Sequence, residues 1–410
     1  MLWRFLGASA RPSLYGLRTR LMNVEVSCSR EQRRSTRFFH ITMSGDRVTI
    51  PSPADFHVHL RQGEMSELVT PHVAKGGIDL AYVMPNLVPP LTSSDQTVAY
   101  IEQLQKLAPQ TKFLGTLYLH PDLTPEEIKR AAKAGVRGVK SYPRGVTTNS
   151  DSGIEDYEVY YPVFQAMEEV NMVLNLHGEV PSDADKGICV LNAEPQFLSH
   201  LEKIHKQFPR LRIVLEHATT RAAVDCVRRL GDTVACTITP HHLELIVDDW
   251  AGRPINFCKP LAKLPDDRAA LRDVIREGHP RFFLGSDSAP HPLASKYPSP
   301  ASRGSTEALV HNCGCAAGIY TSPILLPLCA TLLESFGALE QLPKFVSENG
   351  RKFYQEPASE GRQVVLRRVK NKVPEVYVHD KHTDRPDADG QKLQVVPFYA
   401  GQELAWEIEA

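Results

Sequence analysis

The sequence predicts an α/β fold, a TIM-type (β/α)8 barrel with a small C-terminal β appendage. Three observations point there. Short apolar runs alternate with longer helical patterns from about residue 47 to 350. Eight such runs can be traced, which suits a closed barrel better than an open sheet. The glycine-rich turn that follows the first strand of a dinucleotide-binding sheet is missing.

In chain order, the expected strands are 48–50 leading to His59, 80–84, 113–117, 138–141, 172–177, 212–217, 233–239 and 281–285. Helix-like stretches separate them at 95–107, 125–134, 161–169, 196–207, 221–230 and 266–277. Thr124-Pro125-Glu126-Glu127 is a strong helix start: a capping hydroxyl, a proline with its φ already helical, then acids in the first turn. Residues 43–361 are assigned to the barrel. Residues 362–410 carry short β-like pieces around a charged, turn-rich stretch and are assigned to the appendage packed on it. Residues 1–42 are assigned to an N-terminal extension, disordered or targeting. The first 24 residues hold Arg4, Arg11, Arg18 and Arg20 and no acid, like a mitochondrial presequence. Pro12 interrupts any long amphipathic helix there, and Met43 stands just before the first motif.

Composition narrows the function classes. Apolar residues make up 42% of the chain, enough for a large core. With 47 basic and 48 acidic residues, nothing favours nucleic acid or an acidic membrane surface, and no apolar run reaches the length of a membrane span. A small-molecule substrate is the expectation. Eight cysteines spread thinly through the chain fit a reducing compartment, hence the cytoplasm, with mitochondria as the alternative if residues 1–42 are a presequence. Cys313-Gly314-Cys315 lacks the wider gap of a zinc knuckle.

Polar residues collect where the expected strands end, the face on which a barrel carries its chemistry. His57 and His59 follow the first strand, Asn86 the second, and Asp287 the eighth; Lys140 ends the fourth, His177 the fifth and His217 the sixth. In His57-Val58-His59 the two imidazoles are two apart, so an extended strand points both to one side. Four imidazoles and a carboxylate are suitable ligands for Zn2+ and similar ions. Two divalent ions in so weakly anionic a shell would call for a bridging anion. Lys140 could supply one only if its amine were modified.

Asp55-Phe56-His57-Val58-His59-Leu60-Arg61 resembles the first signature of dihydroorotases, and Gly285-Ser286-Asp287-Ser288-Ala289-Pro290-His291, with Lys296 five beyond, resembles the second. Met84-Pro85-Asn86, Lys140-Ser141-Tyr142-Pro143, Thr147-Thr148-Asn149, Leu174-Asn175-Leu176-His177-Gly178-Glu179 and Leu215-Glu216-His217 fall between them in the family's order. Pro397-Phe398-Tyr399-Ala400-Gly401 extends the match to the C-terminus. The likeness is to the monofunctional, homodimeric type. Asp248-Asp249-Trp250-Ala251-Gly252 and Asn256-Phe257-Cys258-Lys259-Pro260 are similar to its fungal branch.

The resemblance implies two Zn2+ per subunit. His57 and His59 hold one with Asp287, His177 and His217 hold the other, and Lys140, N6-carboxylated, bridges them. It implies that Arg61, Asn86 and His291 grip a substrate carboxylate and that His177 also touches substrate. It implies that Lys259 offers backbone groups to the ring, that Ala317, or Ala316 by a one-residue slip, lines the pocket, and that Thr147 and Thr148 sit on a closing loop. Asp287 is the implied catalytic proton carrier. The implied reaction is reversible zinc-dependent cyclisation of N-carbamoyl-L-aspartate to (S)-dihydroorotate plus water, the third step of pyrimidine synthesis. Bacterial relatives often carry an apolar residue at Lys259, and the stretch from 292 to 310 is longer than expected. Two rivals exist. A hydantoinase or allantoinase would share the metals but not the Arg61, Asn86 and His291 set, and a catalytically dead scaffold would have lost ligands.

Overall fold

The computed structural model describes residues 43–44, 46–150, 153–154, 156–297, 315–379 and 392–409. The extension expected at 1–42, the Cys313-Gly314 pair and most of the 292–310 stretch lie outside them.

Eight parallel strands form the barrel. We label them β1 (Ala54–Val58), β2 (Leu80–Val83), β3 (Lys112–Leu114 continued by Thr116–Tyr118), β4 (Gly138–Ser141), β5 (Val173–His177), β6 (Arg212–Glu216), β7 (Val234–Ile238) and β8 (Phe282–Leu284). Pairing runs in parallel through β1, β2 and the first half of β3, then from the second half of β3 through to β8. Gly115 splits β3; a Cβ there would lie 2.4 Å from Thr97 Cγ2 on the covering helix α1 (Ser94–Leu107). The ring closes where β8 runs out beside β1: Asp287 N donates to His57 O at 2.8 Å and His59 N to Ser288 O at 3.0 Å. Helices on the outside bury one stripe each. In Pro125–Lys133 these are Ile128 and Ala131, and Thr124 caps its start by accepting from Glu127 N. No helix of the described residues is long and apolar enough to cross a membrane.

The first strand differs from expectation. Residues 48–50 do not belong to the barrel. They lie in Arg47–Pro51, which pairs antiparallel with Gln363–Arg367, and Glu407–Ile408 adds to that edge. Pro51 and Pro53 flank Ser52, whose φ of 43° is left-handed, so the chain turns there and starts the barrel anew at Ala54. The C-terminal β layer is therefore built from both ends of the described chain, with Val48, Ile50 and Leu366 fully buried in it.

Inside the barrel, inward residues stack in layers. Phe56, Tyr82, Val173, Val214, Ala235 and Phe283 form one cluster, closed from below by Tyr354. Phe56 stacks on Tyr354 at 4.7 Å between centroids and meets Phe283 edge-on at 5.4 Å. One inward step up the strands the layer turns polar. Tyr82 OH donates to Asn175 Oδ1 at 2.9 Å, Asn175 Nδ2 donates to Glu216 Oε1 at 2.5 Å, and Thr237 Oγ1 donates to Glu216 Oε2 at 2.6 Å.

Candidate active site

Above that polar layer, histidines from separate strands converge. His57 Nδ1 lies 2.7 Å from Glu216 Oε2, which turns the other ring nitrogen toward Asp287 Oδ1 at 3.5 Å. His59 Nε2 reaches the same oxygen at 3.0 Å. The ring of His217 is 5.0 Å from that of His57 and 4.7 Å from that of His177, between centroids. His57 and His59 reach one carboxylate with help from the backbone: β1 shifts register against β2 between Asp55 and Val58, an irregularity that re-aims side chains. Asp55 fastens that end, accepting from Ser286 N at 2.8 Å and from His57 N at 3.1 Å. Gly285 makes room; a Cβ on it would stand 2.9 Å from His57 Cβ and 2.7 Å from Thr237 Cβ. Arg61, His217 and Asp287 all hold positive φ, between 41° and 58°, a backbone cost that concentrates at this site.

The electrostatics suit cation binding. Burial pushes the imidazolium of His59 down to about 4, only partly opposed by Asp287. Burial likewise lowers His177, and it lowers His217 well below the ordinary range, with His177 and His57 adding to the effect. Neutral imidazoles are the form that binds a metal. Burial alone would raise Asp287, but His59, His57 and His241 together hold it well below the usual carboxylate range. The ligand atoms of His57, His59 and Asp287 lie within 4.8 Å of one another and are buried. His217 Nδ1 is buried without a hydrogen-bond partner. A buried donor set with neutral imidazoles, one anionic oxygen and an unsatisfied nitrogen fits a divalent metal.

Lys140 is fully buried beneath these rings, its Nζ 3.2 Å from Ser141 O and 4.0 Å from the Tyr142 ring centroid. Burial pushes its ammonium down to about 7, against the pull of Glu216 and Asp287.

A cleft opens onto the cluster. Arg61, Asn86, Thr147, Thr148, Lys259 and Ala317 line it together with the four histidines and Asp287. His291 stands just behind, its Nε2 3.2 Å from Arg61 Nη2 and 2.9 Å from Ala317 O. Arg61 Nε donates to Pro290 O at 3.1 Å. Asn86 Nδ2 donates to Thr148 O at 3.1 Å, and Asn149 Nδ2 returns a bond to Asn86 O at 3.0 Å, so the threonine loop lies over the cleft. Of the two alanines, Ala317 faces the cleft, whereas Ala316 O accepts from Lys296 Nζ.

Several residues had no role from sequence. Glu216 orients His57, although it sits beside His217 in a motif already singled out. Glu179 Oε2 lies 3.1 Å from His177 Nε2 and its Oε1 3.2 Å from the fully buried Lys263, which presents the Nδ1 side of His177 to the centre. Burial would raise Glu179, but Lys263 and His177 hold it at about 2. Tyr142 lines the cleft two residues after Lys140. Only Lys263 stood in no quoted motif.

The chain matches known proteins over most of its length. Residues 87–222 match the Amidohydrolase family. A dihydroorotase of Mycosarcoma maydis is 66% identical, the alignment covering 89% of this chain and 99% of that protein. The crystal structure of the Saccharomyces cerevisiae dihydroorotase in complex with 5-fluoroorotic acid superposes with a TM-score of 0.79 at 42% identity, covering 89% of this chain and 98% of that one. The L-hydantoinase of Arthrobacter aurescens, at 18% identity and a TM-score of 0.72 over 88% of this chain and 82% of its own, shares the barrel fold.

Proposed function

The chain belongs to the dihydroorotase family and is a hydrolase acting on the C–N bond of a cyclic amide; we propose that it interconverts (S)-dihydroorotate plus water and N-carbamoyl-L-aspartate, the third step of pyrimidine synthesis, run toward ring closure. One observation carries the substrate choice. The half-buried Arg61 guanidinium lines the cleft beside the histidine cluster, and among the described residues it bonds a carbonyl and an imidazole but no carboxylate. A guanidinium fork left without an acid suits a ligand carboxylate, which both proposed compounds carry and an unsubstituted hydantoin lacks.

In this proposal the centre would take two zinc ions: His57, His59 and Asp287 would hold one, His177 and His217 the other, and Lys140, carboxylated on Nζ, would supply an anionic ligand to both. A carbamate forms from a neutral amine and carbon dioxide with loss of a proton, and an ammonium pushed to about 7 is substantially neutral at cellular pH. When bound, the ions supply the acidity that makes water a nucleophile at neutral pH and draws charge from the scissile carbonyl. Asp287 takes the proton of the attacking water and delivers it to the ring nitrogen as the C–N bond breaks; ring closure reverses both transfers. Arg61, Asn86 and His291 hold the carboxylate, His177 and the Lys259 backbone orient the ring, and Ala317 forms a wall. Thr147 and Thr148 shut out bulk water. Glu216 and Glu179 fix which nitrogen His57 and His177 present.

The proposal extends to a homodimer in the cytoplasm. The dispersed cysteines support a reducing compartment, while the acid-free, arginine-bearing first 24 residues favour a mitochondrial alternative.

Zinc-loaded protein is expected to turn over dihydroorotate in preference to hydantoin. Arg61→Met is expected to raise KM by about 10²-fold, the loss of a charged two-point contact, with metal content unchanged. An unchanged KM, or faster turnover of hydantoin, removes this substrate.

A further inference from the structure

Tyr142 stands outside the residue set assigned above, yet its surroundings are those of a ligand contact. It follows β4 directly, and the chain positions it from two sides. Its ring stacks on Tyr118 with centroids 5.2 Å apart and planes 26° from parallel, and Lys140 Nζ stands 4.0 Å from its centroid. Its carbonyl accepts from Ile154 N at 2.7 Å. The ring is only 2% exposed, and its hydroxyl is buried with no hydrogen-bond partner. Leaving a buried polar group unpaired is costly, so native proteins hold few of them, and each marks a water, an ion or a ligand.

Location decides between these. Tyr142 lines the cleft with Arg61, Asn86 and His217. One of those neighbours also carries an unpaired buried atom not claimed by the metal-binding set, Asn86 Oδ1. Two such atoms around one cleft indicate a common polar occupant better than two unrelated waters. A phenol carries its proton at neutral pH, so the hydroxyl is available as a donor.

We propose that Tyr142 is a substrate-binding residue whose hydroxyl donates a hydrogen bond to an acceptor oxygen of the bound dihydroorotate or carbamoyl aspartate. This rests on the function proposed above and adds to it a neutral donor beside the Arg61 cation.

Tyr142→Phe tests it, because the ring, its stacking on Tyr118 and its contact with Lys140 all survive. KM is expected to rise about tenfold for both compounds, the loss of one hydrogen bond to a ligand oxygen. The melting midpoint of the ligand-free protein should stay or rise, since an unpaired hydroxyl has been removed. An unchanged KM overturns the proposal. So does a lowered midpoint, which would mean that the hydroxyl already has a partner in the resting protein. Wild-type protein is assayed alongside. No turnover of either compound by the zinc-loaded wild type refutes function and proposal together, whereas wild-type turnover with an unchanged variant KM refutes only the role of Tyr142.

Discussion

The lower lumen of the barrel and its mouth are built by the same strands, one inward step apart, and they are opposites. Val173 lies in the apolar plug, Asn175 in the polar layer and His177 at the histidine cluster, all on β5. On β6 the same progression runs from Val214 to Glu216, with His217 just beyond the strand. Below, aromatic rings fill space. Above, imidazoles, carboxylates and a lysine are buried against strong desolvation. The lower half supplies rigidity through packing, and the upper half spends some of that stability on pre-positioned polar groups.

If this division holds, substitutions in the two halves should fail in different ways. The largest effect belongs to the mouth. Asp287→Asn is expected to cut turnover by about 10²–10⁴-fold as the proton carrier is lost, while most of the metal and the fold remain. Near-normal turnover would move the proton transfer to another group. Phe283→Ala, in the plug, is expected to cost about 3–5 kcal/mol of unfolding free energy in a denaturant titration, with KM unchanged in the folded fraction. A tenfold shift in KM would show that the halves are coupled.

The smallest effect is one of pH. Burial holds Glu194, which accepts from Thr219 N and Thr220 Oγ1, up to about 7, against those bonds and the pull of Lys263. The folded protein then binds a proton that the unfolded chain, near the ordinary 4.5, has released. Glu194 therefore makes stability fall as pH rises from about 4.5 to about 7. Comparing melting midpoints of metal-free wild type and Glu194→Gln across that window should show the gap changing in the variant's favour. A constant gap would place the charge of Glu194 in solvent.

Much of this was legible in the sequence because barrel chemistry sits where strands end. His177 and His217 could be placed by finding the apolar runs before them. Residues 48–50 were misassigned because a half-buried β pattern looks alike in a barrel and in an antiparallel layer; only the partner strand, Gln363–Arg367, distinguishes them. Lys263 gave no signal, since a lysine after Pro260 and Leu261 reads as surface until Glu179 is seen opposite it. Tyr142 was visible within a motif, but its open hydroxyl was not.

By itself, the sequence determined the alternation of strand and helix, the ligand types at the strand ends and the family resemblance. These are properties of local pattern and order along the chain. Tertiary structure decided which residues share an oxygen of Asp287, which nitrogen Glu216 leaves free on His57, and which buried groups stay unpaired. Those depend on barrel closure, on the shift between Asp55 and Val58, and on desolvation by neighbours far away in sequence. Local pattern carries no information about such distances, because they arise only when remote segments exclude water from one another.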